Sequence, residues 1–360
     1  MKHSEGEGIG LVGEDADRSK AEKPATINDV ASLAQVSKKT VSRVINRVPT
    51  VREDIRERVA SAVRELGFRP NPQARSLAFR RSFLVGLVYD NPSPAYVVNM
   101  LEGILDSLAG SGFELVVHPC DHKSETLLDN VEEFVERQRL AGVILPPPLS
   151  ENELLVDLLR DKGCPYVRIS SLALDAPPAM VVTNDHLGAE EAAEKLATLG
   201  HRRIGLVRGP RSFRSAEVRS QGFLLTLAKH GITVDPSCDV EGSYTFESGV
   251  EAGHHLLSVA EPPSAIFAMN DDMALGVMQA ARERGLALPR DLSLIGFDDL
   301  PMAARVWPNL TSVRLPIRHM GQLAAQKLLA AMAHQERPDQ QQSEVRPVLV
   351  MRDSVVAWDK

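Results

Sequence analysis

The chain has 360 residues, 43% of them hydrophobic, which is enough for two or three cored domains and too apolar for a disordered protein. Its formal net charge of -7 would argue against a nucleic-acid partner if it were evenly spread, but residues 24–81 carry 12 Lys+Arg against 5 Asp+Glu while the remainder from 82 onward carries 25 against 37. A compact basic module joined to an acidic body points to a polyanionic partner for the first part alone. Cys120, Cys164 and Cys238 lie far apart, with no CxxC and no His cluster at metal-ligand spacing, so a reduced cytoplasmic setting without metal or other cofactor is expected. No apolar run approaches the roughly 18 residues that span a bilayer. The charged, Gly-rich N-terminus also lacks the apolar core of a signal peptide, so no membrane partner is expected.

Residues 1–24 read as a flexible tail. Gly8, Gly10 and Gly13 satisfy GxGxxG, but the dinucleotide reading requires a strand before and a helix after, and the flanks here are polar and acidic. Thr26-Ile27-Asn28-Asp29 makes a capping-box-like start to a first helix ending near Leu33. Gln35-Val36-Ser37 then turns the chain, and Ser37 caps a second helix, SKKTVSRVIN. Val41, Val44 and Ile45 mark its buried side, leaving Lys38, Lys39 and Arg43 outward. Lysines in a first turn oppose the helix dipole, so an external anion is expected to face them. A third helix starts near Glu53, with Ile55, Val59, Val63 and Leu66 at helical spacing and Gly67 in the stop position. Three short helices with one tight turn make a helix-turn-helix unit, whose second helix enters the major groove. Past Arg69-Pro70, residues 71–78 read as a short helical piece in which Leu77 stands as an isolated apolar residue beside arginine. Such a leucine suits a wedge between base steps of the minor groove, or else packing of a linker on the body.

The run TINDVASLAQVSKKTVSRVIN, followed by VREDIRERVASAVRELGFRPNPQARSL, resembles the DNA-binding headpiece of the lactose-repressor (LacI/GalR) family. The resemblance implies that Lys38, Lys39 and Arg43 read bases and that Thr26, Ser37, Thr40, Ser42 and Asn46 lie at or near phosphates. It further implies that Asn71, Ala74, Arg75 and Leu77 form a hinge helix in the minor groove. Members often carry aromatic or small residues where this chain has Lys38-Lys39, and lysine pairs naturally with guanine O6 and N7.

From Phe83 onward, short apolar runs alternate with amphipathic helical stretches: FLVGLVY, FELVVHP, AGVILPP, CPYVRIS, MVVTND, RIGLVRG, SAIFAMN and LSLIGFDD. This alternation means parallel sheets covered on both faces, and so many units fit two doubly wound lobes better than one sheet. Ligands of open α/β sheets bind beyond the carboxyl ends of strands. Polar residues gather there: Asp90-Asn91, Arg168 to Ser171, Asn184-Asp185, Asn270-Asp271-Asp272 and Asp298-Asp299. Asn and Asp are also ordinary caps and turn formers, so each alone reads first as structural, and only their recurrence argues for a polar cleft. No nucleophile elbow, P-loop or HExxH accompanies them, so no enzyme is expected; His201, His254 and His255 read as structural.

The stretches LATLGHRRIGLVRGP, AIFAMNDDMALGVMQAARERGLALPRDLSLIGFDDLPMA and PNLTSVRLPIRHMG resemble the same family's effector domain, itself similar to periplasmic sugar-binding proteins of type I. The resemblance implies an effector pocket of Asp90, Tyr96, Arg168, Phe213, Ser215, Arg219, Tyr244, Asn270 and Asp298. Arg219 and Asp298 would hold neighbouring sugar hydroxyls while Tyr96, Phe213 or Tyr244 cover an apolar face. The implied organisation is a tail (1–24), a helix-turn-helix domain (25–69), a hinge helix or linker (70–81) and a two-lobed effector-binding and dimerisation domain (82–360). Without leucine heptads after VVAWDK, a homodimer on a pseudo-palindromic operator is expected rather than a tetramer. The expected function is an allosteric repressor of carbohydrate uptake and catabolism genes; a nucleobase- or nucleoside-responsive or phosphoprotein-coregulated regulator is the alternative. A transporter's solute-binding protein, the rival from another class, leaves the basic module unexplained.

Overall fold

The computed structural model describes residues 25–45, 50–68, 82–333 and 344–358. The chain divides into two compact units, Met1–Arg80 and Arg81–Lys360. In the first, α1 (Ile27–Leu33), α2 (Lys38–Ile45) and α3 (Glu53–Glu65) pack around Val30, Ala31, Val41, Val44, Val59 and Ala62. The backbone N–H and the hydroxyl of Thr26 both donate to the Asp29 carboxylate at 2.7 Å, which fixes the entry to α1. The turn into α2 passes through Gln35 at φ 51, a left-handed position that no glycine marks. Asn46 and the expected hinge residues Asn71, Ala74, Arg75 and Leu77 lie outside the described residues.

The second unit holds two sheets. One contains β1 (Leu84–Tyr89), β2 (Glu114–Pro119), β3 (Gly142–Leu145), β4 (Tyr166–Ser170) and β5 (Met180–Val182), all parallel in the order β2-β1-β3-β4-β5. The other repeats that order with β6 (Ile204–Arg208), β7 (Asp239–Glu241), β8 (Ala265–Ala268), β9 (Ser293–Asp298) and β10 (Thr311–Arg314), as β7-β6-β8-β9-β10. A last strand, β11 (Val348–Val350), adds antiparallel to β10. Strands β3, β8 and β9 are buried at every position, as sheets covered by helices on both faces require. The helices are α4 (Pro94–Leu108), α5 (Leu127–Gln138), α6 (Glu153–Asp161), α7 (Asp185–Thr198), α8 (Arg214–Lys229), α9 (Phe246–Leu256), α10 (Asp271–Glu283) and α11 (Ile317–Met332).

Two lobes result, with the chain passing between them after β5, after β10 and again before β11. Helix α11 returns to the first lobe and packs on β3, β4 and β5 as well as on α4. Gly103 and Gly321 allow the α4–α11 approach: a Cβ at Gly103 would stand 1.9 Å from Arg318 O, and one at Gly321 2.5 Å from Met100 O. In each sheet the order reverses beside the first strand, so crevices open at the carboxyl ends of β1/β3 and of β6/β8. No helix among the described residues is long and apolar enough to cross a membrane.

Candidate functional site

In the first unit, α2 buries Val41 and Val44 and leaves Lys38, Lys39 and Arg43 exposed. Ser37 Oγ accepts the Thr40 N–H at 3.1 Å and so caps the helix, and it lies 2.9 Å from the Thr40 hydroxyl, both side chains standing at the helix N-terminus. Arg52 pairs with Asp54 and Arg56 with Glu53, while Arg58 and Arg64 on α3 are exposed. Lys38, Lys39 and Arg43 form no ion pair with other described residues. The result is a positive helix start with its charges available to an outside anion.

In the second unit, the two crevices face each other and enclose one cavity of about 470 Å³, counting its open mouth. From the first lobe come Asn91 and Ser93 after β1, Tyr96 at the start of α4, and Pro147 after β3. From the second come Phe213, Ser215 and Arg219 after β6, Tyr244 after β7, Asn270 after β8 and Asp298 at the end of β9. Thr183, Asp185, Leu315 and Met320 line it where the chain passes between lobes.

Arg219 organises this lining. Its Nε donates to Asp185 Oδ2 at 2.7 Å, its Nη1 to Met269 O at 2.5 Å, and its Nη2 stands 3.8 Å from Asp298 Oδ1. The guanidinium also lies 3.7 Å from the Phe297 ring centroid, a cation–π contact that fixes its plane. Burial alone lowers its pKa, but Asp185, Tyr244 and Asp298 together raise it above that of a free guanidinium, so it stays charged. The Thr183 hydroxyl donates to the other oxygen of Asp185 and so fixes that carboxylate from behind. Asn270 is used twice, accepting the Met273 N–H to cap α10 and donating to Tyr244 O, both at 2.9 Å.

Asp298 differs. It is buried, and its Oδ1 has no hydrogen-bond partner among the described residues. Burial pushes its pKa up to about 7, against the pull of Arg219 and with help from Asp185 and Asp272. Its backbone takes φ 102 and that of Asp299 φ 53, two consecutive conformations disfavoured for side chains with a Cβ. They are held because Asp299 accepts from Arg314 Nε at 2.7 Å and from Arg352 Nη2 at 2.5 Å. Tyr244, at φ 62, places a second orphan in the cavity: its hydroxyl has no well-aligned bond, although Ser215 is near enough to affect its ionisation. Burial raises the Tyr244 phenol to about 12, so it remains a neutral donor. An aimed carboxylate oxygen, a phenol and a guanidinium edge are groups that recognise hydroxyls.

Seven of the nine expected pocket residues meet at this cavity, and two do not. Asp90 faces the other way: its carboxylate accepts the His122 N–H at 2.8 Å and contacts His122 Nδ1 at 2.5 Å. Its neighbours Asn91 and Ser93 line the cavity instead. Arg168 is fully buried within the first lobe, donating to Ser150 O at 2.7 Å and to Glu153 Oε1 at 2.6 Å, so its charge is neutralised before it could meet a ligand. Asp185, Thr183 and Ser93 line the cavity beyond the expected nine, and of these only Asp185 carries a sequence signal, its place at a strand end. Asp121 and His122 also stand within 4.8 Å of Asp90, a metal-capable trio that spacing along the chain does not reveal.

Residues 26–71 match the model of "Bacterial regulatory proteins, lacI family", and residues 193–355 that of a periplasmic binding protein-like domain. A probable HTH-type transcriptional repressor, ExuR of Bacillus subtilis, is 32% identical over 92% of this chain and 98% of its own. The chain belongs to the LacI family. The ribose operon repressor of Escherichia coli is 30% identical over 92% of this chain and 99% of its own. Among solved structures, the Lac repressor dimer bound to operator and the anti-inducer ONPF superposes with a TM-score of 0.74 at 28% identity, covering 93% of this chain and 100% of that one. As a LacI-family member the protein is a DNA-binding transcriptional regulator, with a helix-turn-helix unit and two α/β lobes of the periplasmic-binding type.

Proposed function

We propose that the protein is a homodimeric repressor of carbohydrate genes whose grip on a pseudo-palindromic operator is set by a sugar or sugar derivative held between its lobes. The observation that carries the sugar reading is the unpartnered, buried Oδ1 of Asp298 beside Arg219 and the Tyr244 hydroxyl. Asn91, Ser93, Ser215 and Asn270 add polar lining, and Tyr96 and Phe213 add aromatic faces. Phe213 and Tyr244 meet edge to face, at 5.3 Å and 87°, and so offer two perpendicular walls rather than the parallel plates a nucleobase favours. Relatives named for the ribose and lac systems support the same class.

On the DNA side, Lys38, Lys39 and Arg43 read base edges while Thr26, Ser37, Thr40, Ser42 and Asn46 stand at phosphates, and residues 70–81 with Asn71, Ala74, Arg75 and Leu77 form the hinge. Two copies pair through an exposed apolar face of the second lobe, where Phe246, Leu275, Met278, Met302, Val306 and Trp307 line one groove and Trp307 is 86% exposed. A relative's crystallised dimer on its operator supports a second copy as the occupant. The protein works in the cytoplasm and catalyses no reaction; the free thiols of Cys120, Cys164 and Cys238 fit that compartment. Effector acts only through different affinity for the DNA-gripping and DNA-releasing states. Calorimetric titration with a panel of sugars tests this: at least one binds, and its presence changes operator affinity at least about tenfold, the usual scale of allosteric coupling. A panel without a binder, or a binder that leaves operator affinity unchanged, contradicts it.

A further inference from the structure

Four helices, α4, α7, α8 and α10, begin at the cavity, and helix starts attract anions. In a site built for a phosphate or carboxylate, such starts would be open to the ligand. Here each already meets a carboxylate of the chain. Asp185 is the first residue of α7, and Asp271 and Asp272 open α10. Glu151 reaches from the first lobe and accepts the Arg214 N–H at the start of α8, at 3.1 Å, while also accepting from Ser170 Oγ. Asp272 reaches from the second lobe and accepts at 2.8 Å from Ser93 Oγ, the residue preceding α4. Two of these contacts therefore cross between the lobes in opposite directions.

Cations are scarce by comparison. Among the described residues Arg219 is the one cation in the lining, and it is shared among Asp185, Met269 O and Asp298. Arg214 is exposed, and His122, edge-on to Phe213, faces Asp90. One guanidinium thus stands against two carboxylates in the lining, with Glu151 and Asp272 just beyond. The buried Oδ1 of Asp298 requires a donor, which a hydroxyl supplies and an anionic oxygen does not.

From this charge pattern we infer that the effector is an uncharged polyol, and that sugar acids and sugar phosphates are excluded by the chain's own carboxylates. The inference rests on the reading of the cavity as the sugar site. A second negative charge brought close to Asp298 in this buried setting costs affinity of about a hundredfold or more.

The test is calorimetry on the full chain at pH 8, where Asp298 is ionised. D-ribose, D-galactose, D-glucose and cellobiose are compared with ribose 5-phosphate, glucose 6-phosphate, D-galacturonate and the methyl ester of D-galacturonate. The neutral sugar that binds is expected to exceed its charged counterpart by about a hundredfold, and the methyl ester to bind more tightly than the acid it masks. Glu151→Gln and Asp272→Asn are expected to narrow the ratio between neutral and charged ligands. Tighter binding of an acid or phosphate, or a ratio unmoved in both variants, overturns this inference and leaves the sugar site standing. Silence from every compound removes the sugar reading and this inference with it.

Discussion

Replacing Asp298 by Asn removes one buried carboxyl while keeping its volume, and its consequence for stability follows from the site. Its pKa in the fold is about 7 against an ordinary value of 3.8. Because the folded state holds this proton more tightly than the unfolded state, Asp298 contributes stability that is complete below pH 3.8 and is lost as pH rises through 7. At ~1.4 kcal/mol per pH unit, a rise of that size sets a ceiling of about 4 kcal/mol on the loss. Asp271 behaves alike, its carboxyl held well above the usual range by burial and by Asp298. The difference between wild type and Asp298→Asn therefore removes the part of the Asp271 titration that burial sets and reads Asp298 together with its repulsion of Asp271. Urea unfolding of both proteins from pH 5 to pH 8 reads it. Between pH 5 and pH 8 the variant gains on the wild type by about 2.6 kcal/mol, the rest of the ceiling lying below pH 5, because it has no proton to release on ionisation. The same variant loses sugar binding, since Asn offers a weaker acceptor where Oδ1 was unpartnered, but retains operator binding. Parallel pH curves for the two proteins would refute the argument that burial destabilises this carboxylate. Unimpaired sugar binding would refute its role in the cavity.

Lys39→Ala is expected to broaden base preference in a randomised-site selection more than it lowers nonspecific affinity, because base-edge contacts specify and phosphate contacts position; an unchanged preference removes Lys39 from the reading set. Trp307→Asp puts a charge on the exposed apolar face of the second lobe and is expected to convert the dimer to a monomer in sedimentation velocity, with operator affinity falling in step. A dimer that survives this change places the second copy elsewhere. Gly103→Ala drives a Cβ to 1.9 Å from Arg318 O and parts α4 from α11, at a cost of about 1–3 kcal/mol in unfolding free energy. An unaltered denaturation midpoint would mean that the two helices separate freely.

The first unit was legible because its signals are local. The Thr26–Asp29 box, the Ser37 cap and the Val41/Val44 stripe each depend on residues within one or two turns, and all appear as read. The left-handed Gln35 was not legible, since glutamine carries no preference for that conformation. In the body, long apolar runs announced the buried strands, but β7, β10 and β11 have three or four residues each and show no periodicity to detect.

Polar residues at strand ends pointed to the cavity, while register decided which of them line it. Asp90 and Asn91 are adjacent, and which of the two lines the cavity depends on a single step of the backbone beyond β1. Arg168 stands out in the sequence as a cation within an apolar strand, yet Glu153 from the following layer of the fold reaches it first. Asp185 was concealed by the ordinary reading of Asn-Asp as a cap; Asn184 occupies the cap position, and Asp185 is left to hold Arg219.

The most direct measurement is selection of the full chain against randomised duplexes, followed by titration of the recovered site at about 0.15 M salt with and without the neutral sugars. Enrichment of a palindrome bound at least about a thousandfold more tightly than random DNA, with an affinity that one sugar changes, is the predicted result. Equal, salt-sensitive attachment to every duplex, indifferent to any sugar, would contradict it.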